Sequence, residues 1–241
     1  MKYIAIIALL LCQVSNATTQ YVYNVTKDQV VLESESTTVR PIASVTKLMT
    51  GLIIVTGRDS LQEKILYRKV KKTREELLYL MLVKSDNVAA ESLAKNYAGG
   101  RDNFIIQMNL QAHQLGMMNT VYDDPSGLSR NNQSTAVDLA LLVQHVYLFD
   151  KIRKITSTAS YTVTERTRKK RSRVVVINNT NVRLLKEYSE IEISKTGFTN
   201  PAGKCLVMFL NKNGDKFVIV ILGEHNTRSV QDLSRGIIDS L

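Results

Sequence analysis

Two apolar runs, 204–210 and 216–222, flank Asn213-Gly214, and this pair constrains the fold of the 241-residue chain more than any other feature. Asn followed by Gly supplies the two positive-φ positions that a tight hairpin turn needs, so the runs read as adjacent antiparallel strands. Further strand-like segments lie at 21–25 and 29–32, around the turn at Lys27-Asp28, and at 161–164 and 173–177. Ile191 and Ile193 alternate with Glu192 and Ser194 and lead into Lys195. Between these outer segments the pattern is helical. From Ser44 to Gly57 it is almost continuously apolar, as expected of a helix buried between layers. Thr73-Arg74-Glu75-Glu76 has the form of an N-cap with an acidic first turn, and the apolar run 77–83 follows it, bringing Ser85 and Asn87 to its end. Helices are also predicted at 86–98, 101–115, 135–149 and 227–241, with no repeat and no linker between them. Strands at both chain ends with helices between them imply an α+β fold: an antiparallel sheet flanked by helices, with a helical subdomain.

The first residues point to export. Met1-Lys2-Tyr3 precedes the apolar run 4–11, which is too short to cross a bilayer, since a spanning helix takes ~20 apolar residues. Ser15-Asn16-Ala17 offers small residues at the two positions a signal peptidase reads. The expectation is a signal peptide over 1–17 and one domain over 18–241, secreted to the periplasm or cell envelope with no transmembrane anchor after cleavage. Leu11 is too bulky for Cys12 to sit in a lipid-attachment pattern. Cleavage would leave Cys205 alone in a strand-like run, where a buried inert thiol is expected. His113, His145 and His225 are far apart and no metal-ligand spacing occurs, so neither a metal nor a cofactor is expected. The net charge of +10 is densest at 64–74 and 166–173. Such runs attract anionic partners, either cell-wall polymer or nucleic acid, but they also suit a solvated hairpin and helix start. No zinc finger or RNA-binding signature accompanies them, and with a signal peptide nucleic acid is not the expected partner.

Three short motifs carry chemistry. Ser44-Val45-Thr46-Lys47, Ser85-Asp86-Asn87 and Lys195-Thr196-Gly197 occur in that order. At ordinary residue frequencies a Ser-x-x-Lys occurs roughly once in a chain of this length by chance, and Ser92-Leu93-Ala94-Lys95 is a second copy. Context separates the two: Ser44 follows Pro41 and opens an apolar run, whereas Ser92 lies inside a helical pattern and reads as a surface helix residue. Ser129-Arg130-Asn131, the second Ser-x-Asn, follows Asp124-Pro125-Ser126-Gly127 and reads as a turn. Together the first set supplies a serine nucleophile, a lysine to accept its proton, a polar Ser/Asn pair, and a strand that can hold an anionic peptide end.

With these motifs the chain resembles the low-molecular-mass penicillin-binding proteins, the D-alanyl-D-alanine carboxypeptidases and endopeptidases of peptidoglycan, over about residues 20–240. The likeness extends to Gly116-Met117-Met118-Asn119-Thr120, Ser134-Thr135-Ala136-Val137-Asp138-Leu139 and Lys195-Thr196-Gly197-Phe198-Thr199-Asn200, and leans toward the endopeptidase branch. It implies the fold shared by β-lactamases and penicillin-binding transpeptidases, with the cleft between sheet and helical part. It also implies peptidoglycan peptides as substrate and β-lactams as covalent inhibitors. Ser44, Lys47, Ser85 and Asn87 form the expected catalytic set; Lys195, Thr196, Gly197, Phe198 and Thr199 form the expected substrate-binding set. Burial beside Lys195 would depress Lys47 and let it take the Ser44 proton. Ser85 would relay a proton to the leaving amine, Asn87 would orient the peptide, and the oxyanion would sit on the N–H groups of Ser44 and Phe198. Strand alternation puts Lys195 and Thr196 on opposite faces, so both reach a ligand only from a twisted edge strand. The segment between Lys47 and Ser85 is shorter than the family pattern suggests, so the hairpin rimming the site is expected to be reduced. Cleavage of cross-links is favoured over carboxypeptidase action, on likeness and because nothing follows the catalytic part. The competing readings are a β-lactamase, which lacks a Glu-x-x-Leu-Asn stretch here; a non-catalytic peptidoglycan binder, which would not need Ser44, Lys47 and Lys195; and a basic nucleic-acid binder.

Overall fold

The computed structural model of the chain describes residues 18–166 and 172–241. The expected signal segment with Cys12, and the middle of the basic run 166–173, lie outside these residues.

The elements follow the sequence closely. β1 (Thr19–Asn24) and β2 (Gln29–Ser34) form the first pair, and the short β3 (Arg40–Pro41) leads into a 3-10 turn at Ala43–Thr46 that continues as α1 (Lys47–Thr56). β4 (Lys64–Tyr67) and β5 (Val70–Thr73) form a hairpin, then come α2 (Arg74–Leu82), α3 (Asn87–Lys95) and α4 (Gly100–Gln114). β6 (Gln133–Ser134) pairs with β3 and precedes α5 (Ala136–Val146) and α6 (Asp150–Thr156). β7 (Ser160–Arg166) and β8 (Ser172–Asn178) pair with each other, and α7 (Val182–Glu187) leads to β9 (Ile191–Thr199). β10 (Gly203–Lys212), β11 (Asp215–Glu224) and α8 (Thr227–Ser240) complete the chain.

The main sheet is antiparallel in the order β2-β1-β11-β10-β9. Asn213 and Gly214 both adopt positive φ in the turn that closes β10 on β11. The side chains of the central strands alternate between two cores. Leu206, Met208, Leu210, Phe217, Ile219 and Ile221 pack with Leu184, Val230, Ile237 and Ile238 of α7 and α8. Val207, Phe209, Val218, Val220 and Leu222 pack into a larger core with helices α1 to α6. That two-sided burial explains why both strands are apolar at nearly every position. α1 lies inside the larger core, with Lys47 through Ile54 all buried.

Several expectations needed adjustment. The helix predicted over 135–149 is α5, which stops at Val146, and the short α6 beyond it was not expected. Ser92 lies in α3 as predicted, but it is buried because α3 is packed between α2 and α4. Its companion Lys95 is exposed, so this Ser-x-x-Lys copy builds no site. The expected Thr73 cap is a full capping box: Thr73 Oγ1 accepts the Glu76 N–H at 3.0 Å, and Glu76 accepts the Thr73 N–H at 2.8 Å. The basic run 64–74 is a short hairpin followed by a helix start, but it is not solvated throughout, since Lys72 and Arg74 are buried.

Candidate active site

Ser44 does not begin an α-helix. It lies in the 3-10 turn one residue after Ala43, whose φ of 46° is left-handed and costs roughly 1–3 kcal/mol without a glycine. Two glycines make room for that turn. A Cβ on Gly127, at φ 82°, would lie 1.9 Å from the Ala43 carbonyl oxygen, and one on Gly197 would lie 3.0 Å from both Ile42 O and Ser44 N. The edge strand β9 and the 124–127 loop thus press against the backbone at Ala43 and Ser44 from two sides.

Lys47, the first residue of α1, directs its ammonium back along the helix. Nζ donates to Ser44 Oγ at 2.7 Å, to Asn87 Oδ1 at 2.7 Å, and to the Ser126 carbonyl. Burial lowers its pKa from 10.5 to about 7, against the opposing pull of Asp124 and Asp86. Lys195 is also buried, and burial together with the charge of Lys47 drives it well below its ordinary value. Its Nζ donates to Ser85 Oγ at 3.0 Å and to the Thr196 carbonyl at 2.7 Å. For Lys47, burial is the cause of the depression, and the neighbouring ammonium that the sequence suggested does not contribute to it.

Ser85 and Asn87 are not delivered by the end of α2, which stops at Leu82. Ser85 lies beyond it at φ 62°, and Asn87 is the first residue of α3. Asp86 between them accepts the Ala89 N–H at 2.9 Å and so caps α3. The turn is what aims Ser85 at Lys195 and Asn87 at Lys47.

β9 is an edge strand, as the site requires. Thr196, Gly197 and Phe198 line a cleft of about 320 Å³ with Ser44, Ser85 and Thr180. Thr196 Oγ1 donates to Thr180 Oγ1 at 2.6 Å, and the Thr180 N–H donates to Val83 O at 3.1 Å, tying the strand to the end of α2. Phe198 is half exposed, with Lys204 Nζ 3.8 Å above its ring. Thr199 ends the strand, and its hydroxyl accepts the Ala202 N–H at 3.3 Å. Cys205 lines the same cleft but is buried, with its thiol pushed up to about 11, as an inert core cysteine should be.

Sequence reasoning missed the loop that backs the nucleophile. Asp124 accepts from the backbone N–H groups of Ser126, Gly127 and Ser129, and Asn132, fully buried, bridges Thr46 Oγ1 and Asp124 O. Thr50 Oγ1 donates to Pro125 O at 2.6 Å. Asp-Pro-Ser-Gly announced a turn, but nothing in it indicated that the Ser126 carbonyl would meet Lys47. Thr180 had no signal. The motifs at 116–120 and 134–139 are scaffold: Asp138 accepts the Asn119 N–H and the Thr120 hydroxyl at 2.8 Å each. Among the described residues no group of three His, Cys, Asp or Glu could hold a metal ion, and no helix is long and apolar enough to cross a membrane.

The chain has counterparts among known proteins. Residues 58–226 match the peptidase family described as D-alanyl-D-alanine carboxypeptidase. The chain belongs to that family. The matched span contains Ser85, Asn87 and the 195–199 strand, while Ser44 and Lys47 precede it and join the site through the fold. A D-alanyl-D-alanine endopeptidase of Pseudomonas aeruginosa is 36% identical over 198 residues, covering 76% of this chain and 63% of that protein. Its counterpart in Escherichia coli is 35% identical over 211 residues, covering 81% and 67%. This chain therefore spans about two thirds of the length of these family members. Among solved structures, the Streptomyces K15 DD-transpeptidase aligns with a TM-score of 0.84 at 25% identity, covering 92% of this chain and 95% of that one. Penicillin-binding protein D2 from Listeria monocytogenes, in its ampicillin-bound form, aligns at 0.80 and 26% identity, covering 93% and 96%.

Proposed function

We propose that the chain is a serine D,D-peptidase that cleaves D-alanyl bonds of peptidoglycan stem peptides through an acyl-enzyme on Ser44, with cross-links as its preferred bonds. The observation that carries this reading is the buried Lys47 ammonium 2.7 Å from Ser44 Oγ, lowered to about 7. A lysine at that value is partly neutral at physiological pH and can accept the hydroxyl proton, which one at 10.5 cannot do to a useful extent.

Ser44 Oγ attacks the D-alanyl carbonyl as Lys47 takes its proton. The oxyanion is held by the backbone N–H groups of Ser44 and Phe198, two segments held in contact at Gly197. Ser85 gives its hydroxyl proton to the departing amine as the C–N bond breaks and takes one in return from Lys195, whose Nζ donates to it at 3.0 Å. Asn87 orients the peptide, Lys195 and Thr196 hold its anionic end, and Thr199 closes the strand along which it lies. Water then attacks the ester, its proton passing through Ser85 to Lys195, while Lys47 returns its proton to Ser44 Oγ as the ester bond breaks. β-Lactams enter the first half of this sequence and stay as the acyl-enzyme. Preference for cross-links is supported by the D-alanyl-D-alanine endopeptidases at 33–36% identity. The expected leader over 1–17 supports action in the cell envelope.

Labelling with a fluorescent penicillin tests the assignment: the wild type takes the label and Ser44→Ala does not. Equal labelling of both, or of neither, contradicts it. Digestion of purified cross-linked and uncross-linked muropeptides then distinguishes the two D,D-activities; faster release from uncross-linked pentapeptides would reverse the stated preference.

A further inference from the structure

A second, larger concavity of about 990 Å³ adjoins the catalytic cleft across the 84–86 turn. Its walls are the β4–β5 hairpin, α2 and β7, and they carry Lys64, Arg68, Lys69, Lys71, Lys72 and Lys84 against only Glu76 and Asp86. The two carboxylates are already engaged, Asp86 by Arg68 at 3.3 Å and Glu76 by Lys72 at 3.2 Å. Lys64, Lys69, Lys71 and Lys84 are exposed. Like charges this dense in a recess repel one another, and a bound anion relieves that repulsion. Val70, Leu80 and Val163 give the groove apolar lining.

The groove is held in register with the chemistry. Tyr67 Oη donates to Asp86 Oδ2 at 2.9 Å, joining the hairpin to the turn that carries Ser85 and Asn87. Burial and Asp86 push the Tyr67 phenol up to about 12, so it keeps the proton it donates.

We propose that this groove binds the acidic part of a cross-linked stem peptide, taking carboxylates that lie away from the scissile bond. The inference rests on the D,D-peptidase reading and adds to it a cause for preferring cross-links: a cross-link brings a second peptide with further carboxylates, and a single stem does not. A concave, partly apolar groove suits a peptide better than a bilayer, which presents a flat face, or a nucleic acid, whose phosphates call for an extended basic strip.

The test uses the full chain and the charge-reversed variant Lys69→Glu/Lys71→Glu, whose substitutions lie on the exposed hairpin. Steady-state hydrolysis is measured on a cross-linked peptide dimer with free carboxylates and on the same dimer with its remote carboxylates amidated. The expected result is a KM about tenfold higher for the variant on the free-carboxylate dimer, with kcat within about twofold and no difference on the amidated dimer. Penicillin acylation of the variant at the wild-type rate shows that it has folded with its site intact. An unchanged KM on the free-carboxylate dimer overturns the proposal. Calorimetric binding of the same dimers to Ser44→Ala reads the groove without turnover, and weaker binding of the amidated dimer is expected. Retained discrimination there alongside a dead wild type would overturn the peptidase reading and keep the groove. Tighter binding of Ser44→Ala to anionic phosphatidylglycerol vesicles or a single-stranded oligonucleotide than to the dimer would overturn the groove's assignment.

Discussion

Gly197 decides how closely the edge strand approaches Ser44. A Cβ there would lie 3.0 Å from Ser44 N, tighter than an ordinary contact, and the proposed oxyanion donors depend on that close approach. Gly197→Ala should lower the rate of penicillin acylation by about a hundredfold through displacement of one donor or the other, read by stopped-flow; a wild-type rate would show that the approach is not required. At this scale the sequence was partly legible. Ser44, Lys47, Ser85, Asn87 and Lys195 could be chosen because each is the residue type its chemistry needs, in an order that chance seldom produces. Ser126 and Thr180 could not, because one contributes a backbone carbonyl and the other a hydroxyl bonded to another hydroxyl. Neither role restricts residue type strongly enough to leave a pattern. The left-handed φ of Ala43 and Ser85 was equally invisible, since neither residue favours that conformation; surrounding contacts impose it.

The elements were read best where a side chain fixes a boundary. Thr73 and Glu76 announced α2 by a capping box, and Asn213-Gly214 announced the β10–β11 turn. Thr73→Ala should destabilise the protein by about 1 kcal/mol, visible as a lower urea midpoint, while penicillin acylation stays unchanged at saturating stability. A midpoint equal to the wild type would mean that the cap is redundant with the packing of α2. α6 and α7 escaped because they have seven and six residues, too few for an amphipathic period to show. The break between α2 and α3 was expected, but Ser85 and Asn87 were assigned to the end of α2, whereas Asp86 caps α3 and Asn87 is its first residue.

The site as a whole exists only in the folded molecule. Ser44 and Lys47 come from the approach to a buried helix, Ser85 and Asn87 from a turn between two others, and Lys195 to Phe198 from the edge of a sheet built by both chain ends. The layered arrangement was legible, because strand-like termini and a helical middle leave few alternatives. Burial of Lys47 was legible too, from the almost continuous apolar run that opens at Ser44, and α1 does lie inside the larger core. That enclosure is the cause of its lowered pKa, while Asp124 and Asp86 raise it. The rate of Ser44 acylation should therefore climb with pH as Lys47 loses its proton. Removing one of the opposing carboxylates should move the climb to lower pH; Asp86→Asn does this while keeping a capping oxygen for α3. The most direct test is the second-order rate of benzylpenicillin acylation from about pH 5 to about pH 9 for the wild type and Asp86→Asn. The predicted result is a rise with its midpoint near 7 in the wild type and below that in the variant. A flat profile, or a midpoint that Asp86→Asn moves upward, would contradict the role given to Lys47.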